Sequence, residues 1–170
     1  MRPSCAPVLS ISTNLSKISN LSRTGKASFF PIGGNNPGAS SLFPLSCERR
    51  AKWHTDLLTP EPEIEVCVTT LDHYFSKEGR EFQIDLLAMD VQGAELMALE
   101  GASDILTRTR LIVTEGQFIP LYKGSSLIGE VNDFLKEKGF ILLGNLENPS
   151  GASFGDFLFF NERLHLQSAL

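Results

Sequence analysis

The sequence predicts an α/β fold built on a mostly parallel sheet with an antiparallel last strand. Three observations lead there. Apolar runs at 64–70, 84–90 and 110–115 alternate with stretches of helical periodicity, the pattern of strand–helix–strand units. The runs at 84–90 and 110–115 each end on a carboxylate, Asp90 and Glu115, and ligands of open α/β sheets sit at the carboxyl ends of the strands. The last two strands, at 140–145 and 156–161, are joined by a Gly/Pro/Ser turn too short for a crossover helix, so the final strand returns antiparallel.

Taken in order, residues 1–17 are basic and Ser-rich, leader-like or disordered in composition, and without a long amphipathic face. "SRTGKASFFPI" predicts a turn at Gly25 and a short strand through Phe29 and Phe30. "GGNNPGASSLFP" is loop by composition, and the charged, Pro-punctuated residues 48–62 form a connector or flap that carries Trp53. "IEVCVTT" is a β-branched strand. Thr69 and Asp72 have capping-box spacing, and Leu71, Tyr74 and Phe75 then share one face of a helix over about 70–78. The strand at 84–90 is followed by a helix over about 93–99 that stops near Gly101, and by a short turn through Ile105 and Leu106. Leu127, Ile128, Val131, Phe134 and Leu135 mark an amphipathic helix within 125–138, with Gly139 as its stop. Residues 163–170 read as a C-terminal tail.

Composition excludes several classes. At 170 residues, 42% hydrophobic and 21% charged, the chain is globular rather than disordered, and it holds one ordinary domain. No apolar stretch approaches a membrane span. Residues 1–47 carry four basic residues and no acidic one, whereas the rest is strongly acidic. An acidic body argues against nucleic acid, whose phosphates need clustered Lys and Arg. Cys5, Cys47 and Cys67 are odd in number and unpaired in spacing, so neither a disulfide framework nor a zinc site is signalled, and a reducing, cytoplasmic setting is the expectation. His54, His73 and His165 lack metal-ligand spacing. "GASFG" (151–155) matches a Gly-x-Ser-x-Gly elbow, but Ser153 precedes a strand where an elbow needs a helix. "GGNNPG" is not at a strand-to-helix turn and makes a poor phosphate cradle. The sequons at Asn14 and Asn20 matter only in a secreted chain.

What remains is "DLLAMDVQGAE" (85–95). If the strands that end on Asp90 and Glu115 are neighbours, their carboxylates lie roughly 5 Å apart at one sheet edge. Acids placed so can orient a hydroxyl, take its proton or hold a cation. The plainer reading is that each caps the next segment or pairs with a surface Arg, and an acid early in a helix, as Glu95 is, is favoured there in any case.

"TTLDHYF", "IDLLAMDVQGAELMALEGASDIL", "LIVTEGQFIPLY", "EVNDFLKEKGF" and "GDFLFFN" occur in this order. Together, and with "LSRTGKASFFPIGGNNPGASSL" upstream, they resemble the FkbM-type methyltransferase domain over about residues 18–162. The resemblance implies a class I, Rossmann-like sheet and S-adenosylmethionine-dependent methylation of a hydroxyl on a small molecule, sugar or lipid. It implies catalytic roles for Asp90 and Glu115, cofactor-side positions for Ser40, Ser41 and Asp72, and acceptor-side positions for Gln92, Glu95 and Tyr122. Two departures stand out. Family members usually carry a lysine two residues before the aspartate, where this chain has Ala88. The Gly-rich cofactor turn expected upstream of residue 18 is absent, which makes the sheet incomplete and implies an exposed edge for a partner chain or a second copy to cover. On that footing the alternative to an enzyme is a non-catalytic remnant that works as an interaction module.

Overall fold

The computed structural model describes residues 8–12, 24–46, 58–77, 82–147 and 152–167. Its strands are β1 (Val8–Ser12), β2 (Gly25–Phe29), β3 (Ile32–Gly33), β4 (Thr59–Pro60), β5 (Ile64–Val68), β6 (Ile84–Asp90), β7 (Thr109–Gln117), β8 (Phe140–Glu147) and β9 (Phe154–Asn161). The helices are α1 (Leu71–Lys77), α2 (Glu95–Glu100), α3 (Ser103–Leu106), α4 (Ile128–Glu137) and α5 (Glu162–Gln167), with a 3-10 turn at Pro37–Ala39. The connector around Trp53, both sequons, and residues 1–7 and 13–17 lie outside the described residues.

Five strands form the main sheet in the order β1-β6-β7-β9-β8. β1, β6 and β7 are parallel, and β9 runs against both of its neighbours, β7 and β8. One reversed strand in a mostly parallel sheet is the arrangement expected from the sequence.

Several local expectations change. "IEVCV" does not join this sheet: β5 pairs antiparallel with β2 in a two-stranded ribbon. The reason is in its side chains, since Ile64 and Glu65 are exposed and Val68 is the one buried residue, whereas a central parallel strand is apolar on both faces. The place beside β6 is taken by β1, from within the stretch that reads as leader-like. "VLSIS" is short and rich in β-branched and apolar residues, enough to complete a ladder that β6 offers. The edge of β6 is therefore paired rather than exposed. Finally, part of the expected C-terminal tail is helical, as α5.

The expected cap of α1 moves by one residue. The Thr70 Oγ1 accepts the His73 N–H at 3.0 Å, while the Thr69 hydroxyl lies 3.1 Å from that of Thr24. Among the described residues no helix is long and apolar enough to cross a membrane.

Side chains alternate across the sheet, and the two faces differ. Leu87, Met89, Ile112, Phe157 and Phe159 point into the main core, where Leu99, Ile105, Val131 and Leu135 from the helices cover them. The opposite face carries Leu86, Leu111 and Phe160 in one cross-strand row and Ala88, Val113 and Leu158 in the next, all partly buried. The row after that is polar. Above it, the segment 39–46 is tied to 121–123 by the Leu45–Tyr122 bridge and by bonds from Ser46 N to the Leu121 carbonyl and from Lys123 N to the Pro44 carbonyl.

Candidate active site

At the end of β6 the chain turns at once. Gln92 has φ +51° and Gly93 φ +94°, both left-handed, and α2 begins at Glu95. Glycine adopts this conformation freely, but for glutamine it costs about 1–2 kcal/mol and needs support from outside. That support converges from three directions. The Ser41 Oγ donates to the Gln92 carbonyl at 2.6 Å. The Tyr122 hydroxyl lies 2.7 Å from Gln92 Oε1 and 2.9 Å from the Ala39 carbonyl, so its single proton is shared between them. Glu95 folds back so that its Oε1 accepts the N–H groups of Val91 at 3.3 Å and Gly93 at 3.1 Å.

So held, the Gln92 amide bridges two acids. Its Nε2 is 2.5 Å from Asp90 Oδ1 and 3.2 Å from Glu115 Oε1, one N–H for each. The β6–β7 register explains why both acids are in reach. Met89 pairs with Thr114, and Asp90 and Glu115 are the next residues along. Glu115 in turn pairs with Asp156 on β9. Three carboxylates thus share one face in one row, spaced by the interstrand distance of about 4.8 Å. Neither ion pair of the described residues, Lys26–Glu65 or Arg110–Asp85, involves them.

Burial raises Glu115, Glu95 and Asp90 from their ordinary carboxyl range. Burial, reinforced by the charges of Asp90, Glu95 and Asp156, pushes Glu115 up to about 8. Burial likewise pushes Glu95 up to about 7, although three backbone hydrogen bonds oppose it. Asp90 is also raised, by the protein packed around its carboxyl and by Asp156, with the Gln92 bond opposing, but its side chain keeps open access to solvent. Tyr122 is raised by burial and by the surrounding acids, so it remains a hydrogen-bond donor. The edge therefore presents a solvent-open Asp90 beside a more deeply buried Glu115 whose carboxyl is pushed up to about 8. A hydroxyl group placed between them can donate to one and accept from the other.

A stability prediction follows from the raised groups. Between about pH 4.5 and 8 the folded chain holds protons that the unfolded chain has released, so stability is full below that window and falls as pH rises through it. Glu95 alone accounts for roughly 3 kcal/mol. Glu95→Gln keeps an oxygen for the Val91 and Gly93 amides and removes the titration. Urea denaturation at pH 5 and pH 9 should show a shallower pH dependence in the variant, and identical slopes would rule out Glu95 as a titrating group.

Of the residues expected from the sequence, Asp90, Gln92, Glu95, Glu115, Tyr122 and Ser41 form this one network. Ser40 and Asp72 do not enter it. Ser40 Oγ donates to the Pro37 carbonyl at 2.7 Å and accepts the Ile32 N–H at 2.9 Å, fixing its own loop. The Asp72 carboxylate accepts the N–H groups of Asp104 and Ile105 at 3.0–3.1 Å. It caps α3, which leads into the start of β7, the strand end opposite Glu115. Asp156 was not singled out from the sequence. The signal was there in principle, because the beginning of a reversed strand lies at the same sheet edge as the ends of its parallel neighbours.

The model of the methyltransferase FkbM domain matches residues 9–142. The chain is similar to "2-O-methyltransferase NoeI" of Sinorhizobium fredii (strain NBRC 101917 / NGR234), at 34% identity over 146 residues. That alignment covers 84% of this chain but 57% of the relative, so the chain spans a little over half the length of the curated relative it matches. No solved structure matches the chain. With the domain match over most of its length, this chain belongs to the FkbM methyltransferase family.

Proposed function

We propose that the chain takes part in methyl transfer from S-adenosylmethionine to a hydroxyl oxygen of a small molecule, on a Rossmann-like sheet of the class I methyltransferase type. The observation that carries the reading is the pair Asp90 and Glu115, set side by side by strand register and bridged by Gln92. The relative's name supports oxygen as the accepting atom. The single reversed strand next to β8 supports the sheet type.

The described residues fit the donor on one side. The open Asp90 carboxylate suits a cationic or hydroxyl-bearing group. Ser40, Ser41 and Asp72 have their polar atoms committed to protein partners and fit direct cofactor contacts poorly. When bound, S-adenosylmethionine supplies an electrophilic methyl group. The work of this chain is to place the acceptor: Glu115 donates a hydrogen bond to the acceptor oxygen, and Asp90 accepts the hydroxyl proton as the oxygen is methylated. Gln92 keeps the two acids at fixed separation, and Tyr122 and Ser41 position Gln92. Proximity and orientation supply most of the acceleration in such a site.

Calorimetric titration of the folded chain with S-adenosylmethionine and with its demethylated product tests the reading. Binding in the micromolar range is expected. No binding to a chain shown to be folded would overturn it and favour a non-catalytic interaction module.

A further inference from the structure

The sequence leads one to expect an uncovered sheet edge beside β6, and β1 covers that one. An uncovered apolar edge lies instead at the other end of the sheet, on β8, whose outer side meets no strand among the described residues. Four of its side chains are apolar and open to water: Ile141 (38% exposed), Leu142 (43%), Leu143 (54%) and Leu146 (55%). Edge strands are ordinarily guarded against pairing with another chain by a lysine, a proline or a charge. From Phe140 to Leu146 there is none of these. Bulges guard edges too, and the β8–β9 ladder has irregularities at Leu142/Gly144 and Asn145/Glu147. Yet the residues left over by these two shifts are Leu143 and Leu146, the most exposed of the four. The guard is absent and the apolar surface is at its largest in the same place.

The size of the patch points to a second copy as its cover. The four side chains leave open roughly 400 Å², within the range where the largest patch of a monomer is often functional. Two copies facing each other bring together roughly 800 Å² from these side chains alone. Backbone and flanking residues add to that, and specific interfaces begin near 1,200 Å² in total.

Charge at the two ends of the strand sets the direction. At the N-terminal end stand Lys136 and Lys138, at the close of α4, and Arg163 of α5, which donates to the Glu137 carbonyl at 3.1 Å. With Glu137 and Glu162 beside them, that end is net positive. The C-terminal end of β8 pairs with Asp156 and so reaches the carboxylate row. Antiparallel pairing about a two-fold axis sets the positive end of each copy against the acidic end of the other, twice over. Parallel pairing would set like against like, and a lipid surface that took the leucines would have to lie close to the carboxylates as well.

We infer that two copies of this chain associate edge to edge through β8, antiparallel about a two-fold axis, with the leucines of each buried on the other. The inference is independent of the methyl-transfer reading. Sedimentation velocity of the full chain between about 1 and 100 µM tests it, and a reversible monomer–dimer equilibrium is expected. Leu143→Lys combined with Leu146→Lys should raise the dimer dissociation constant at least about 100-fold. Both positions are exposed, so the fold should persist, which circular dichroism checks. Hydrogen exchange of the unsubstituted chain needs no variant: β8 amides should exchange more slowly as concentration rises, while those of β6 stay constant. A chain that remains monomeric at 100 µM, a dimer indifferent to the two lysines, or assembly that continues past the dimer would each overturn the inference. A monomer that floats with phosphatidylcholine vesicles would overturn it too, and would assign the leucines to a lipid surface.

Discussion

Replacing Gly93 with alanine should lower the stability of the protein by about 3 kcal/mol. Two independent costs combine at this position. The backbone is left-handed, at φ +94°, which an L side chain rarely adopts. The added methyl would also stand 2.6 Å from Ser125 Cβ and 3.3 Å from the Tyr122 ring. Neither neighbour moves freely: Tyr122 is 1% exposed and bonded to Gln92 and Ala39, and Ser125 is bonded to its surroundings. Gly129→Ala is the control, because nothing lies within 4 Å of the new methyl and the residue sits inside α4, where alanine is favoured by about 0.5–1 kcal/mol. Denaturant midpoints of the two variants should move in opposite directions. If Gly93→Ala loses less than about 1 kcal/mol, the turn is not the rigid element described.

Asp90→Asn should reduce methylation of a hydroxyl acceptor by about 10²- to 10⁴-fold in kcat/KM. The substitution is close to isosteric, and the new side-chain amide retains an oxygen for the Gln92 N–H, so geometry is largely preserved while the proton acceptor is removed. Glu115 would respond as well. Part of its upward shift comes from the charge of Asp90, so its pKa should fall in the variant, and carboxyl ¹³C titration of Glu115 reads this without any activity assay. A variant that keeps activity within about tenfold of the parent, across pH 6 to 9, would remove Asp90 from the proton-transfer role.

Much of the sheet is legible in the sequence because its central strands are nearly continuous apolar runs with abrupt ends. "IDLLAMD" announces both strand and edge, and "RLIVTE" announces the strand that pairs parallel beside it. "IEVCV" misleads for a related reason: β-branched residues signal a strand, but which sheet it joins depends on burial of both faces, and its exposed Glu65 is the better guide. β1 is five residues long and far from its partner, so local patterning cannot assign it. At the site, Asp90 is visible as the end of β6, whereas β7 runs past the expected end at Glu115 to Gln117, because Gly116 and Gln117 go on pairing with β9. The link through Gln92 is not visible, because it depends on a left-handed turn, and neither is the alignment of Asp156, which needs the register of a reversed strand. Asp72 shows the opposite case, a carboxylate visible in a motif whose hydrogen bonds to the backbone of α3 are not.

The pairing of β1 with β6 also bears on the order in which the sheet closes. Val8 meets Leu86 across a separation of 78 positions, whereas Phe140 and Asn161 of the β8–β9 ladder are 21 apart. Closing the longer loop costs about 1 kcal/mol more in chain entropy, and distant parallel pairings form slowly. The β8–β9 ribbon and the β6–β7 pair can assemble first, with β1 arriving on a finished edge. Hydrogen exchange then reports the reverse journey: the β6 amides bonded to β1 open before those bonded to β7. Because Ser12 is the partner of Asp90 in that ladder, the first piece of the sheet to loosen is the one that flanks the carboxylate.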